Sequence, residues 1–193
     1  MASQRHVNVG GVQIGGGAPV VVQTMTKTET ANLTATMDQI RKVADAGADL
    51  VRVAVPRDKD IEALKTIVVD SPIPIIADIH FNHTLALKAI DAGAHCVRLN
   101  PGNIGGPDKV AEVAERATAK GVPMRIGVNS GSLPKRLHTL ERVEVLGKRA
   151  GVDADPHRHV RLRRLHSHLG DLVAAADVAG VETDAVGARV DRL

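Results

Sequence analysis

Between residues 20 and 128, short apolar runs alternate with longer stretches that mix apolar and charged positions. The runs at 20–25, 50–55, 73–79, 96–99 and 122–128 read as strands, rich in Val and Ile and bounded by turn residues. The stretches at 31–46, 58–69, 84–92 and 107–120 carry helical periodicity. Gly47, Gly93 and Gly121 stand where a left-handed helix stop belongs. Two units repeat without a gap: ADAGADLVRVAVP, beginning at Ala44, and IDAGAHCVRLNPG, beginning at Ile90. Strand–helix units in series predict a parallel sheet with right-handed crossovers. The expected fold is therefore α/β: about the first five strands of a (β/α)8 TIM barrel, occupying residues 1–136.

After Arg136 the pattern is lost. Residues 137–193 contain no Ile, Asn, Gln, Met, Phe or Cys, and five of the nine histidines lie there, four of them in PHRHVRLRRLHSHLG, which begins at Pro156. Only 171–181 keeps a helical pattern. The surviving residue types are those of GC-rich codons, so this tail is read as a frameshifted or otherwise non-native continuation, irregular in structure. Its histidines lack ligand spacing and its arginines read as solvated charge, so neither a metal nor a nucleic acid is expected there.

Composition narrows the chemistry. The chain has 193 residues, enough for one core but short of the roughly 250 of a closed eight-unit barrel. One Phe, no Trp and no Tyr argue against stacking platforms for bases. A net charge of +3 suits small anionic ligands at least as well as nucleic acid. The lone cysteine, Cys96, excludes an internal disulfide, fits a reducing cytoplasm, and cannot by itself hold an iron–sulfur cluster. It lies in an apolar strand and reads as core. No run approaches the roughly 18 apolar residues of a membrane span, so no membrane partner is expected.

Polar residues collect where the strands stop. Residues two apart on a strand share a face, which pairs Asp78 with His80, Arg98 with Asn100, and, four apart, Arg125 with Asn129. Arg52 holds the position in the first repeat that Arg98 holds in the second. In a barrel these ends converge on one mouth, where such enzymes keep their active sites. Guanidinium groups bind phosphate oxygens in bidentate fashion. The PGNIGG turn that follows Asn100 leads glycine-rich backbone into a helix N-terminus, a favourable place for an anion. The expected ligand is a small molecule with one or two phosphates. For each residue alone a bland role competes: a rim salt bridge for an arginine, a structural pair for Asp78 and His80, a metal ligand or acid/base group for His80. His83 and His95 read as surface or helix-start positions. It is the convergence of four strand ends that favours a site.

Taken in order, RHVNVGGVQIGGGAPVVVQTMTKTET, LVRVAVP, IADIHF, RLNPGNIG and RIGVNSGSL resemble the N-terminal domain of bacterial 4-hydroxy-3-methylbut-2-enyl diphosphate synthases, over residues 5–136. Departures are small, such as Thr24 where serine is usual and Lys27 where asparagine is common. The resemblance implies a barrel that binds 2-C-methyl-D-erythritol 2,4-cyclodiphosphate in the methylerythritol phosphate route to isoprenoids. It implies reductive ring opening and dehydration by a [4Fe–4S] cluster on a separate C-terminal domain, with electrons from flavodoxin or ferredoxin. It also implies a head-to-tail homodimer in which one subunit's cluster domain covers the other's barrel. Carried over by motif, Arg52, Arg98 and Arg125 would hold the diphosphate, and Asp78, His80, Asn100 and Asn129 would place the hydroxyl and phosphate groups. The cluster domain, with its three cysteines and glutamate, is not recognisable in this chain. The chain is therefore expected to bind no cluster and to be catalytically incomplete alone. Two other readings compete: a related barrel acting on phosphorylated or pterin-like substrates, and a phosphate-ligand-binding module without redox activity.

Overall fold

A computed structural model describes residues 5–127. Seven strands and four helices follow in the order β1 (His6–Val9), β2 (Val12–Gly15), β3 (Gln23–Met25), α1 (Leu33–Asp45), β4 (Leu50–Ala54), α2 (Asp58–Asp70), β5 (Ile75–Ile79), α3 (His83–Asp91), β6 (Cys96–Leu99), α4 (Pro107–Lys120) and β7 (Met124–Ile126). Strands β3 to β7 form one parallel sheet in chain order, with a helix between each pair from β3 onward. This is the expected series of five. The tail beyond residue 136, and the helical pattern at 171–181, lie outside the described residues.

The strands are shorter than the apolar runs for identifiable reasons. In the first run, the Val22 N–H bonds to the Asp49 carboxylate at 2.7 Å, and the Val22 carbonyl accepts from the N–H groups of Asp49 and Leu50. That pairing starts the ladder only at Gln23 and leaves Val20 92% exposed. Pro74 and Pro123 cannot donate to a ladder, so β5 and β7 begin just after them.

The outward face of the sheet packs under the helices. Val51, Val53, Ile75, Ala77, Ile79, Val97 and Leu99 meet Ile40, Leu64, Ile67, Ala86, Val110 and Val113 in one cluster that water does not reach. Fully burying each such side chain is worth about 1.5–3 kcal/mol before chain entropy is charged against it. Gly47 and Gly93, equivalent in the repeat, end α1 and α3 with φ of +92° and +90°, as their sequence position predicts.

The β1–β2 hairpin was not anticipated. It turns on Gly10 and Gly11, both at positive φ, and its side chains Val7, Val9, Val12 and Ile14 join Leu50, Ile76 and Cys96 in a second core. These last three lie on the inward face of the sheet, near the strands' N-terminal ends, so the hairpin plugs that end. The Gly10 turn lies so close to Pro74 and His95 that a Cβ there would sit 2.8 and 2.7 Å from their side chains. His95 is therefore no surface residue. It is half-buried under the plug, and its Nδ1 accepts the Ile75 N–H at 3.1 Å.

Burial holds the His95 pKa below the ordinary histidine value of 6.5. The unfolded chain thus takes up this proton first as pH falls. Stability from His95 is complete above pH 6.5 and is lost below it, as the imidazole protonates and can no longer accept from Ile75. The unfolding free energy of the wild type, from urea denaturation, should drop between pH 7.5 and pH 5 by up to about 1 kcal/mol more than that of H95Q, the worth of one neutral hydrogen bond reduced by partial exposure. Parallel pH profiles for the two proteins would show that His95 contributes nothing to the joint.

At the opposite end, Asp60 ties two neighbouring loops together. It is fully buried in the first turn of α2, accepts the Ala31 N–H at 3.0 Å through Oδ1, and takes the N–H and Nε of Arg57 through Oδ2. Arg57 continues to Glu29, which Lys59 also holds at 2.6 Å. The Lys59 and Arg57 hydrogen bonds keep Glu29 below the usual carboxylate range. The loops that precede α1 and α2 are thereby fixed at the C-terminal ends of β3 and β4. No helix among the described residues is long and apolar enough to cross a membrane.

Candidate functional site

The register places Asp78 of β5 beside Ala54 of β4 and Arg98 of β6, and Arg98 beside Arg125 of β7. All lie on the inward face, one layer above Ile76 and Cys96. Asp78 is only 2% exposed and is the hub of this layer. Arg98 Nη1 donates to its Oδ1 at 3.1 Å. Arg52 Nε lies 3.1 Å from its Oδ2, and His80 Nε2 lies 3.3 Å from the same oxygen. A carboxylate surrounded by three cationic or potentially cationic groups leaves a positive excess at the end of the sheet. Such an excess is favourable for an anion.

Arg52 is poorly satisfied by protein atoms. Its contact with Asp78 is an ion pair without hydrogen-bond alignment, so the buried Nε has no aligned acceptor. Its Nη2 points to the Met25 thioether at 3.2 Å, a weak acceptor. Arg98 is better held: Nη2 also donates to the Gly127 carbonyl at 3.3 Å. The remaining guanidinium donors of both residues are suited to phosphate oxygens.

Arg125 is exposed and does not reach Asp78. It crosses the concave side of the sheet and donates to Gln23 Oε1 of β3, the opposite edge of the described sheet. This contact spans five strands and requires the sheet to curl strongly, as a barrel wall does. Beneath it lies a hollow of about 520 Å³, lined by the hairpin valines, Leu50, Ile76, Cys96, Gln23 and Arg125. Most of its lining side chains are apolar, with Gln23 and Arg125 on its polar side, whereas Arg52, Asp78 and Arg98 are not among them.

Asn100 is 2% exposed and closes β6. Its Oδ1 accepts the Gly102 N–H at 3.2 Å and its carbonyl accepts from Asn103. These bonds fold the PGNIGG turn into α4, whose N-cap, Gly106, supplies no capping side chain. His80 is 40% exposed at the mouth, edge-on to Phe81 with ring centres 6.0 Å apart. Asn129 lies outside the described residues. His83 begins α3, as its position predicts, and pairs with Glu112. Cys96 is buried core, with Sγ turned to the Val97 carbonyl. As the chain's single thiol in an apolar layer, it does not fit an iron–sulfur ligand set.

Of the residues expected at the site, Arg52, Asp78, His80 and Arg98 are in mutual contact through Asp78. Asn100 shapes the adjoining loop, and Arg125 flanks the group from the next strand. Three contributors were not foreseen: Met25 and Gln23, which receive Arg52 and Arg125, and Gly127, against which Arg98 lies. Gln23 and Met25 were readable as inward-facing by their spacing of two. Gly127 follows Arg125 by the same spacing.

These features define a parallel α/β barrel protein, plugged at the strands' N-terminal ends, with a cationic mouth built on one buried carboxylate at their C-terminal ends. The family model described as the GcpE TIM-barrel domain matches residues 4–161, and the chain belongs to that family. Relatives named 4-hydroxy-3-methylbut-2-en-1-yl diphosphate synthase (flavodoxin) align at high identity. That of Magnetococcus marinus is 56% identical over 133 residues, covering 69% of this chain and 36% of the relative. Those of Persephonella marina and Aquifex aeolicus are 54% and 53% identical over 129 and 133 residues, covering 67% and 69% of this chain and 37% of each relative. The chain thus spans a little over a third of the length of the curated relatives it matches. Among solved structures, the dihydropteroate synthase of Yersinia pestis superposes with a TM-score of 0.56 at 16% identity, over 90% of this chain and 59% of that one. The enzyme of the same name from Xanthomonas albilineans gives 0.54 at 16%, over 92% and 61%. At such identity these two speak for the barrel fold alone.

Proposed function

We propose that this chain is the substrate-binding barrel portion of a 4-hydroxy-3-methylbut-2-enyl diphosphate synthase, holding 2-C-methyl-D-erythritol 2,4-cyclodiphosphate at the mouth. The observation that carries this reading is the Arg52–Asp78–Arg98 assembly at neighbouring strand ends. Arg98 and Arg125 grip the two phosphates from adjacent strands, and Arg52 exchanges its weak thioether contact for a phosphate oxygen. Asp78 keeps the guanidinium groups from repelling one another before the ligand arrives. Asn100 fixes the glycine turn, so that backbone N–H groups meet the anion, and His80 and Asn129 reach its hydroxyl and phosphate oxygens.

In the full-length enzyme a [4Fe–4S] cluster, fed by flavodoxin or ferredoxin, supplies the reducing electrons. The names of the relatives favour flavodoxin. A head-to-tail homodimer brings a second subunit's cluster domain over this mouth. Since Cys96 does not fit such a cluster, the chain's own part is binding and orientation, without turnover. A single cysteine suits a cytoplasmic setting. Residues 1–136 are the barrel portion and 137–193 a divergent continuation, frameshifted or otherwise non-native. The alignments of 129–139 residues match a barrel portion of about that length, while the family model runs on to residue 161. An uninterrupted homologous reading frame through this part of the gene would refute it.

The test is a titration of the cyclodiphosphate with the chain, followed by phosphorus NMR. Saturable broadening of both phosphate resonances is expected; unchanged resonances would overturn the reading. Product after anaerobic incubation with iron, sulfide and reduced flavodoxin would overturn the binding-only role.

A further inference from the structure

Arg98 and Arg125 are neighbours in register on the same face of adjacent parallel strands, an arrangement in which like charges repel. Their side chains take different partners: Arg125 reaches across to Gln23, whereas Arg98 leans over Gly127, two residues beyond Arg125. Gly127 follows Arg125 by two residues, so its side-chain slot opens on the same inward face. Arg98 fills that slot. A Cβ at residue 127 would lie 2.7 Å from Arg98 Nε, 2.8 Å from Nη2 and 3.1 Å from Cζ. The first two are shorter than real Cβ contacts allow, and the third is tighter than most. No other atom comes as close, and Gly127 does not have the positive φ that would itself demand glycine. Its N–H donates to the Leu99 carbonyl at 2.8 Å, which extends the β6–β7 ladder one step beyond β7 and holds residue 127 in place.

We infer that Gly127 is a positioning residue for anion binding: its missing side chain is the seat of the Arg98 guanidinium. Seated there, Arg98 bonds Asp78 through Nη1 and the Gly127 carbonyl through Nη2, which sets the plane of the fork that meets the phosphate. A methyl group at 127 evicts the fork from this plane. The inference rests on the phosphate-binding reading for its consequence, but the seating itself is a property of the protein alone.

The experiment uses the whole 193-residue chain, labelled with nitrogen-15, in wild-type, G127A, R98A, R98K and R98A/G127A forms, with inorganic pyrophosphate as the probe. The Nε–Hε resonance of Arg98 is identified as the one lost in R98K. In G127A this resonance should shift and its proton should exchange faster with water, while those of the remote Arg41 and Arg116 stay put. Pyrophosphate should bind G127A about tenfold more weakly, the cost of misaligning one charge-assisted hydrogen bond. Adding G127A to R98A should change affinity less than twofold, because there is no guanidinium left to displace. An unmoved Arg98 resonance, or an undiminished further loss in the R98A background, overturns the inference. If the wild type ignores pyrophosphate, the phosphate reading fails by itself, and the arginine resonance still decides the seating. If G127A does not fold, recovery of the fold in R98A/G127A supports the clash, and no recovery overturns it.

Discussion

Replacing Asp78 with alanine should lower the stability of the chain by about 2–3 kcal/mol and loosen both Arg52 and Arg98. Breaking a fully buried ion pair by removing one partner costs about 3–5 kcal/mol, because the other charge is stranded. Here the loss should be smaller, since the side chains of Arg52 and Arg98 are 26% and 20% exposed and can regain water. Asp78 itself is 2% exposed, so the substitution also leaves a small cavity. The sign with respect to ligand is distinctive. Because the carboxylate is the counter-charge of the guanidinium groups, pyrophosphate should restore part of the lost stability in D78A as its concentration rises. Urea denaturation with and without pyrophosphate measures both effects. Wild-type stability in D78A would mean that Arg52, Arg98 and His80 do not depend on this carboxylate.

The second large effect concerns binding. Arg98→Ala should weaken cyclodiphosphate binding by about 10- to 150-fold, the range expected for charge-assisted hydrogen bonds worth about 1.5–3 kcal/mol. Arg125→Ala should cost less at moderate salt, because Arg125 is exposed and its field is screened within about 10 Å at 0.1 M ionic strength. Raising salt should therefore shrink the R125A effect more than the R98A effect. Calorimetric titration of the three proteins at two salt concentrations resolves this. Equal salt sensitivity would place Arg98 in the same screened environment as Arg125, contrary to its seat against Asp78 and Gly127.

The sheet was legible because parallel strands covered on one face by helices, and on the other by a plug, must be almost wholly apolar. Ile75 to Ile79 is buried along its length, and such runs stand out between amphipathic helices. The repeat made Arg52 and Arg98 equivalent before any coordinates, and both contact Asp78. The hairpin escaped because each strand is only four residues long and glycine surrounds it, although Val-Gly-Gly-Val is itself a turn signal. His95 read as a surface or helix-start residue because its neighbour across the joint, Gly10, lies 85 positions earlier in the chain. Arg125 could be assigned to the inward face by alternation, but not its reach to Gln23. That contact depends on how tightly five strands curl, and no local pattern encodes it. Nothing local marks Asp60 among the other acids of the chain. Its burial arises only when the loop before α1 folds across it.

A crystal of the chain soaked in pyrophosphate tests the central claim most directly. The account predicts one diphosphate at the strand ends, its oxygens within hydrogen-bond distance of Arg98 and Arg125, with Arg52 drawn off the Met25 sulfur and Asp78 still beneath. A diphosphate bound elsewhere, with Arg52 still on Met25 and Arg125 still on Gln23, would contradict it.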